Sequence, residues 1–233
     1  MKILTIIPAR GGSKGIKLKN LSRINDKPLV AYSIEHSLAS KLINRTIVST
    51  DNEEIAKVSE EYGAEIPIFR SKELAGDHIL DFPVFEHMLT YLKKEENYEP
   101  EIVVHLRPTS PYREPKWIDS AINLLVENPS ADSVRSVSEP SQHPYRVFEI
   151  KNKYLHPLMN ERHPEPYLLR RQDLPKMYYY NCVIDVTKPS TIFNKKSMTG
   201  DKMLPYIMKR EDSIDIDTPM DLEFAKVFLK ERL

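Results

Sequence analysis

Short apolar runs recur along this chain, and the early ones alternate with stretches of helical periodicity. Ile3 to Ile7, Thr46-Ile47-Val48, Ile66 to Phe69 and Ile102 to Leu106 read as buried strands. Between them, Leu29, Val30, Ile34 and Leu38 mark a helical stripe opened by Pro28, and Ile55, Val58 and Tyr62 mark another that Gly63 ends. Asp51 and Glu54 form a capping-box pattern before that second stripe, which makes Asp51 either a cap or a ligand contact. Further helices span residues 82–94 and a segment opened by Pro115, with Ile118, Ile122 and Leu125 on one face and Asn128-Pro129 as its stop. Strands that are apolar throughout, joined by helices, require a parallel sheet covered on both faces. The expected fold is therefore α/β, a doubly wound, mostly parallel sheet of Rossmann-like form. Cys182 to Val186 and Leu204 to Met208 add late strands, and Thr218-Pro219-Met220-Asp221 caps a C-terminal helix, so residues 1–233 read as one domain.

Residues 138–180 break this pattern. Pro140, Pro144, Pro157, Pro164, Pro166 and Pro175 interrupt it, and no helical period survives. The segment reads as an extended insertion of short strands and loops. Tyr145, Val147, Tyr154, Leu155, Leu158, Tyr167 and Leu168 need cover that so short an excursion hardly supplies. A second subunit is the natural partner, with folding back onto its own domain as the alternative.

Ligands of such sheets bind beyond the carboxyl ends of the strands. The loop after the first strand, Ala9-Arg10-Gly11-Gly12-Ser13-Lys14-Gly15, holds three of the chain's six glycines. Glycine permits positive φ and close approach of the backbone to a ligand, so consecutive amides can point into one concavity. Arg10, Lys14, Lys17 and Lys19 add positive charge, and no acid precedes Asp26. This combination suits a polyphosphate. It matches neither the Walker loop nor the dinucleotide-binding pattern. Ser49-Thr50-Asp51 and Arg107-Pro108-Thr109-Ser110-Pro111 also follow strands directly, so all three segments converge on one sheet edge.

Asp215 and Asp217 stand at alternate positions of an extended segment and project from one side. Two adjacent carboxylates repel one another, and Mg²⁺ relieves this while completing its shell with substrate phosphates and water. A basic loop and an acidic pair together suggest a nucleoside triphosphate held with magnesium. Asp221 is instead explained as a helix cap. The 34 basic and 34 acidic side chains balance, which points away from a nucleic-acid or membrane surface. Cys182 is the single cysteine, excluding an internal disulfide and fitting a reducing, cytoplasmic setting. The N-terminal apolar run is too short for a signal peptide. His105 lies inside an apolar strand and reads as a core histidine, and the histidines show no zinc-ligand spacing.

The motifs Ile7-Pro8-Ala9-Arg10-Gly11-Gly12-Ser13-Lys14-Gly15 with Lys19-Asn20, Ser49-Thr50-Asp51, Glu73-Leu74-Ala75, Arg107-Pro108-Thr109-Ser110-Pro111, Arg171-Gln172 with Leu174-Pro175, and Asp215-Ile216-Asp217-Thr218 occur in order along nearly the whole chain. Together they resemble the acylneuraminate cytidylyltransferase family. The resemblance implies a nucleotidyltransferase fold in which 138–180 is a dimerisation arm reaching into the neighbour's active site. It further implies transfer of CMP from CTP to the anomeric hydroxyl of an acidic, sialic-type nine-carbon sugar for cell-surface glycan synthesis, with release of pyrophosphate. By the same carry-over, Arg10, Lys14 and Asp217 would be catalytic, with Asp215 and Asp217 holding Mg²⁺. Ala9, Arg10, Gly11, Gly12, Ser13, Lys14, Asn20 and Arg70 would bind the nucleotide. Arg107, Thr109, Ser110, Asn181 and the partner-directed Arg171 and Gln172 would meet the sugar. Three positions depart from the sialate pattern: Arg107 where glutamine is usual, Asp81 for a serine, and Asn181-Cys182 for Asn-Gly. These leave the sugar open, among N-acetylneuraminate, legionaminate, pseudaminate and their relatives, and to a lesser degree the base. Transfer to another sugar or base, and nucleotide binding without turnover, are the alternatives.

Overall fold

The computed structural model describes residues 1–232. Its elements run β1 (Ile3–Pro8), β2 (Arg23–Ile24), β3 (Lys27–Pro28), α1 (Leu29–Leu38), β4 (Arg45–Ser49), α2 (Glu53–Glu61), α3 (Asp81–Glu96), β5 (Ile102–His105), α4 (Pro115–Val126) and β6 (Ser133–Ser138). After these come β7 (Phe148–Lys151), β8 (Tyr154–Pro157), β9 (Tyr179–Thr187), α5 (Pro189–Lys195), β10 (Met203–Ile207) and α6 (Pro219–Lys230). A six-stranded sheet of order β10-β6-β9-β5-β1-β4 forms the centre. β1 pairs in parallel with β4 and β5, and β10 with β6, whereas β9 runs against both β5 and β6.

Period-two alternation along β1 explains the layering. Ile3 and Ile7 join a core with Val30 and Ile34 of α1, Ile55 of α2 and Ile118, Ile122 and Leu125 of α4. Leu4 and Ile6 face the other way, onto Val84, Phe85, Met88, Leu89 and Leu92 of α3. A third cluster sits at the ligand edge. Ile214 and Ile216 pack with Ala225 and Leu229 of α6 against Ile24, Leu29 and Tyr32. Burying an aliphatic side chain of this size stabilises by roughly 1.5–3 kcal/mol, so these two isoleucines fasten the segment carrying Asp215 and Asp217 over the N-terminal half of the sheet.

Several expectations need correction. Ile66 to Phe69 is not a strand; only one bridge, Ile47 to Glu65, forms beside β4, and Pro67 has no N–H to continue a ladder. Asn52, not Asp51, caps α2, accepting from the Ile55 amide at 3.0 Å. β6 went unread because Ser-Val-Arg-Ser-Val-Ser looks polar, yet Ser133, Arg135, Ser136 and Ser138 are buried. Within 138–180, β7 and β8 form an antiparallel hairpin. Tyr145 is buried against its own chain, while Tyr154, Leu155, Leu158 and Leu168 stay exposed. None of the described helices is long and apolar enough to cross a membrane.

His105, which is buried, and His36, which is half-buried, make acid stability testable. His36 is pushed down to about 3 by burial, then by Arg113 and Lys27. His105 is pushed well below its ordinary value by burial, then by Arg107, Arg135 and Arg113. Both are neutral when folded, whereas the unfolded chain protonates each near 6.5. Stability is therefore expected to fall as pH drops from about 6.5, at roughly 1.4 kcal/mol per pH unit per histidine, until the folded values are reached. Urea midpoints at pH 7 and pH 5 check this, and equal midpoints would refute it.

Candidate active site

The carboxyl edge of the sheet opens into a cleft of about 390 Å³ lined by Arg10, Ser13, Lys14, Gly15, Lys19, Asn20, Arg70, Asp81, Arg107, Thr109 and Asp217. The basic loop and the acidic segment, nearly the whole chain apart in sequence, thus share one concavity. Their contact is direct. Lys19 Nζ donates to the Ile216 carbonyl at 2.8 Å and to Asp217 Oδ1 at 3.1 Å. A Cβ placed on Gly15 would lie 2.5 Å from the Asp217 carbonyl oxygen, so close backbone approach is what requires glycine here. Positive φ is not the reason, since the positive-φ glycines are Gly63 and Gly200.

The loop is organised partly from within. The Gly11 amide donates to Asp51 Oδ1 at 2.8 Å, and the Ser13 amide to the Gly11 carbonyl at 3.0 Å. Asp51 is thus not the helix cap; through Oδ1 it fixes the loop's entry. Asn20 Nδ2 donates to the Arg10 carbonyl at 2.9 Å, and so shapes the loop it lines. Ala9 is fully buried and its amide donates to the Ser49 carbonyl, which confines it to the scaffold. Gly12 has open space around it. Arg70 is buried, with Nη2 donating to the Ser49 carbonyl at 2.6 Å, and burial pulls its guanidinium down to about 10 against the opposing charges of Asp51 and Asp81.

Asp77, which stands exposed beside the cleft and pairs with two of its cations, is a residue that the sequence reading missed. Its carboxylate takes Arg10 Nη1 at 2.8 Å and Lys14 Nζ at 2.7 Å, and these bonds, Lys14's first, hold it below the ordinary aspartate value. Its position two residues after Glu73-Leu74-Ala75 was the available signal. The polyphosphate that the basic loop is expected to hold would compete with this carboxylate for the same two cations. Asp77→Asn is accordingly expected to lower the KM for the nucleotide about 2- to 5-fold at low salt, the range an exposed ion pair supports. An unchanged or raised KM would overturn that competition.

Other predicted residues lie elsewhere. Ser110 is fully buried and cannot reach a substrate. Asn181 is buried at the β6–β9 bulge, accepting from Ser136 Oγ at 2.6 Å and donating to Ser213 Oγ at 2.8 Å. It ties sheet to loop rather than facing the cleft. Arg171 borders a separate concavity with Glu139, His143, Arg146 and Arg210 at the root of the 138–180 excursion, and Gln172 is exposed on the same turn. Within one chain neither joins the cleft. Thr109 does, and its carbonyl accepts from the Ile216 amide at 2.9 Å.

Asp215 and Asp217 alternate with buried Ile214 and Ile216, as the extended spacing requires. Asp217 lines the cleft and Asp215 opens on the adjoining hollow beside Tyr179 and Arg210. Asp215 touches solvent, yet the density of protein around it raises its carboxyl above the ordinary value, and the Asp217 charge raises it further. That mutual repulsion fits a pair a dication would relieve. No cluster of three or more such ligands occurs among the described residues.

A family model described as cytidylyltransferase matches residues 4–202. The chain belongs to that family. Relatives of this cytidylyltransferase include the N-acylneuraminate cytidylyltransferase of Escherichia coli O18:K1:H7, 34% identical over 96% of this chain. This chain spans 51% of that longer protein. The pseudaminic acid cytidylyltransferase of Campylobacter jejuni is 32% identical over 99% of this chain and 97% of its own length. The CMP-N,N'-diacetyllegionaminic acid synthase of Legionella pneumophila is 34% identical over 95% and 93%. Among solved structures, CMP:2-keto-3-deoxy-manno-octonic acid synthetase complexed with CTP superimposes with a TM-score of 0.75, covering 100% of both chains at 16% identity, which shows the shared fold.

Proposed function

We propose that this enzyme transfers CMP from CTP to the anomeric hydroxyl of a nonulosonic acid. The observation that carries the reading is the shared cleft, with Arg10, Lys14 and Lys19 on one wall and Asp217 on the other. The sugar oxygen attacks the α-phosphorus, the bond from that phosphorus to the bridging oxygen of the β-phosphate breaks, and pyrophosphate leaves while the hydroxyl proton passes to solvent. Arg10 and Lys14 bind the triphosphate and offset the charge that grows on the departing pyrophosphate. Lys19 holds Asp217 in register with the loop, and Arg70 walls the β4 side of the cleft. Asp215 and Asp217 would hold Mg²⁺, which supplies charge neutralisation at the phosphates. Positioning of this kind accounts for most catalysis in phosphoryl-type transfer. The CTP requirement and the lone cysteine are consistent with a cytoplasmic enzyme.

The relatives' names span sialic, pseudaminic and legionaminic acids, and the sugar is accordingly a member of that class. Pyrophosphate release with CTP, Mg²⁺ and a panel of these acids tests the reading; no release with any of them refutes it. The hairpin of β7 and β8 leaves Ile150, Tyr154 and Leu155 at least 65% exposed, apolar area that a second copy would cover, with Arg171 and Gln172 directed to the neighbour's cleft. A monomer by light scattering would refute the shared site.

A further inference from the structure

The two departures noted in the sequence, Arg107 and Asp81, meet in the structure. Arg107 Nη2 donates to Asp81 Oδ2 at 2.9 Å, and its Nη1 donates to Asp185 Oδ2 at 2.7 Å. Its guanidinium also lies over the Tyr180 ring, 5.7 Å from the centroid. Asp185 is fully buried beneath it, accepts from the Tyr180 hydroxyl and lies 3.2 Å from Arg135 Nη1. Arg107 is therefore clamped between a buried acid and a cleft acid, and its two terminal nitrogens are both engaged. That is a poor arrangement for gripping a substrate carboxylate, the role its charge alone suggests.

Asp81 is the group left facing outward. It is the first residue of α3, lines the cleft, and retains 39% side-chain exposure. Oδ2 is taken by Arg107, and Oδ1 has no hydrogen-bond partner among the described residues. An ionised carboxylate accepts hydrogen bonds and donates none, and it repels phosphate and carboxylate. The complementary ligand group is a hydroxyl or an amide N–H.

We propose that Asp81 is a specificity-determining residue that accepts a hydrogen bond from a hydroxyl or amide N–H of bound substrate, and that Arg107 is the positioning residue that aims it. The inference rests on the reading of the cleft as a site for CTP and an acidic sugar. Both the sugar and the ribose of CTP carry such donors, and kinetics separate them. With the sugar as donor, Asp81→Ala raises the sugar KM about 10-fold or more, as loss of a charge-assisted hydrogen bond implies, with the KM for CTP unchanged. With the ribose as donor, the KM for CTP rises instead and the preference for CTP over 2′-deoxy-CTP collapses. Asp81→Asn, which keeps shape and one acceptor oxygen, recovers part of the loss. Arg107→Gln shifts the same KM as Asp81→Ala, and the double variant is no worse than the poorer single one, because the pair acts as a unit. A lowered melting temperature with both KM values at wild-type levels, for the alanine and asparagine variants alike, overturns the proposal and leaves Asp81 as a charge at the start of α3. Wild-type protein inactive with every acid of the panel refutes the function itself, an outcome read before any variant is made.

Discussion

Asp217→Asn is expected to lower kcat by about 10²–10³-fold, the loss seen when one electrostatic group at a transferring centre is removed. The asparagine fills the same space, and the ion pair it breaks with Lys19 leaves Asp217 largely in solvent, with 74% side-chain exposure. Lys19, 15% exposed, keeps the Ile216 carbonyl as an acceptor, and a pair with one partner in solvent contributes little, so the melting temperature should move by only a small amount. The substitution nonetheless removes one of the two carboxylates proposed for the dication and the charge that sits on the acidic wall of the cleft. Pyrophosphate release at saturating substrates, beside a thermal melt, measures both. Activity close to wild type in a folded Asp217→Asn protein removes the assignment of this residue.

Gly15→Ala is expected to impair turnover from the opposite wall. The added methyl would sit 2.5 Å from the Asp217 carbonyl, backbone against backbone, so no side chain can rotate away. Overpacking of this kind typically costs about 1–3 kcal/mol and is relieved by moving one of the two segments. Either movement shifts the basic loop against Asp217, whose contact with Lys19 it disturbs, and spoils both binding and chemistry, raising the KM for CTP and lowering kcat together, each by about 10-fold. The melting temperature of the unliganded protein isolates the contact, because Gly15→Ala should lower it whereas Gly12→Ala, with nothing within 4 Å of a Cβ, should not. Equal effects at the two positions would show that loop flexibility, not the contact with Asp217, is what matters.

Periodicity exposed most of the scaffold. The strands at Ile3–Pro8, Arg45–Ser49 and Ile102–His105 and the stripes of α1, α3 and α4 were legible because burial on one or both faces leaves a repeating apolar signature. β6 was not, since Ser136 is satisfied by Asn181 and the Ile184 amide and Ser133 by the Thr199 carbonyl, and small polar residues look solvated in a string of letters. The direction of β9 was likewise invisible, as an apolar run does not state its orientation. At the site, Arg10, Lys14, Arg70, Thr109 and Asp217 were found from motif and charge, and all line the cleft. Ser110 and Asn181 were misplaced because motif membership does not distinguish a residue facing a ligand from one holding the motif's shape. Asp77 and Asp81 gained meaning only once folding set each beside its arginine, which no linear spacing announces.

The single reversed strand of the central sheet has an architectural consequence. β6 ends and β9 begins at the same rim of the sheet, so everything between them departs from and returns to one threshold. Lengthening, trimming or rewriting that detour leaves the hydrogen-bonded platform beneath it untouched. The detour's length and composition can vary without displacing the cleft residues carried by the loops after β1 and β5 and by the segment bearing Asp217.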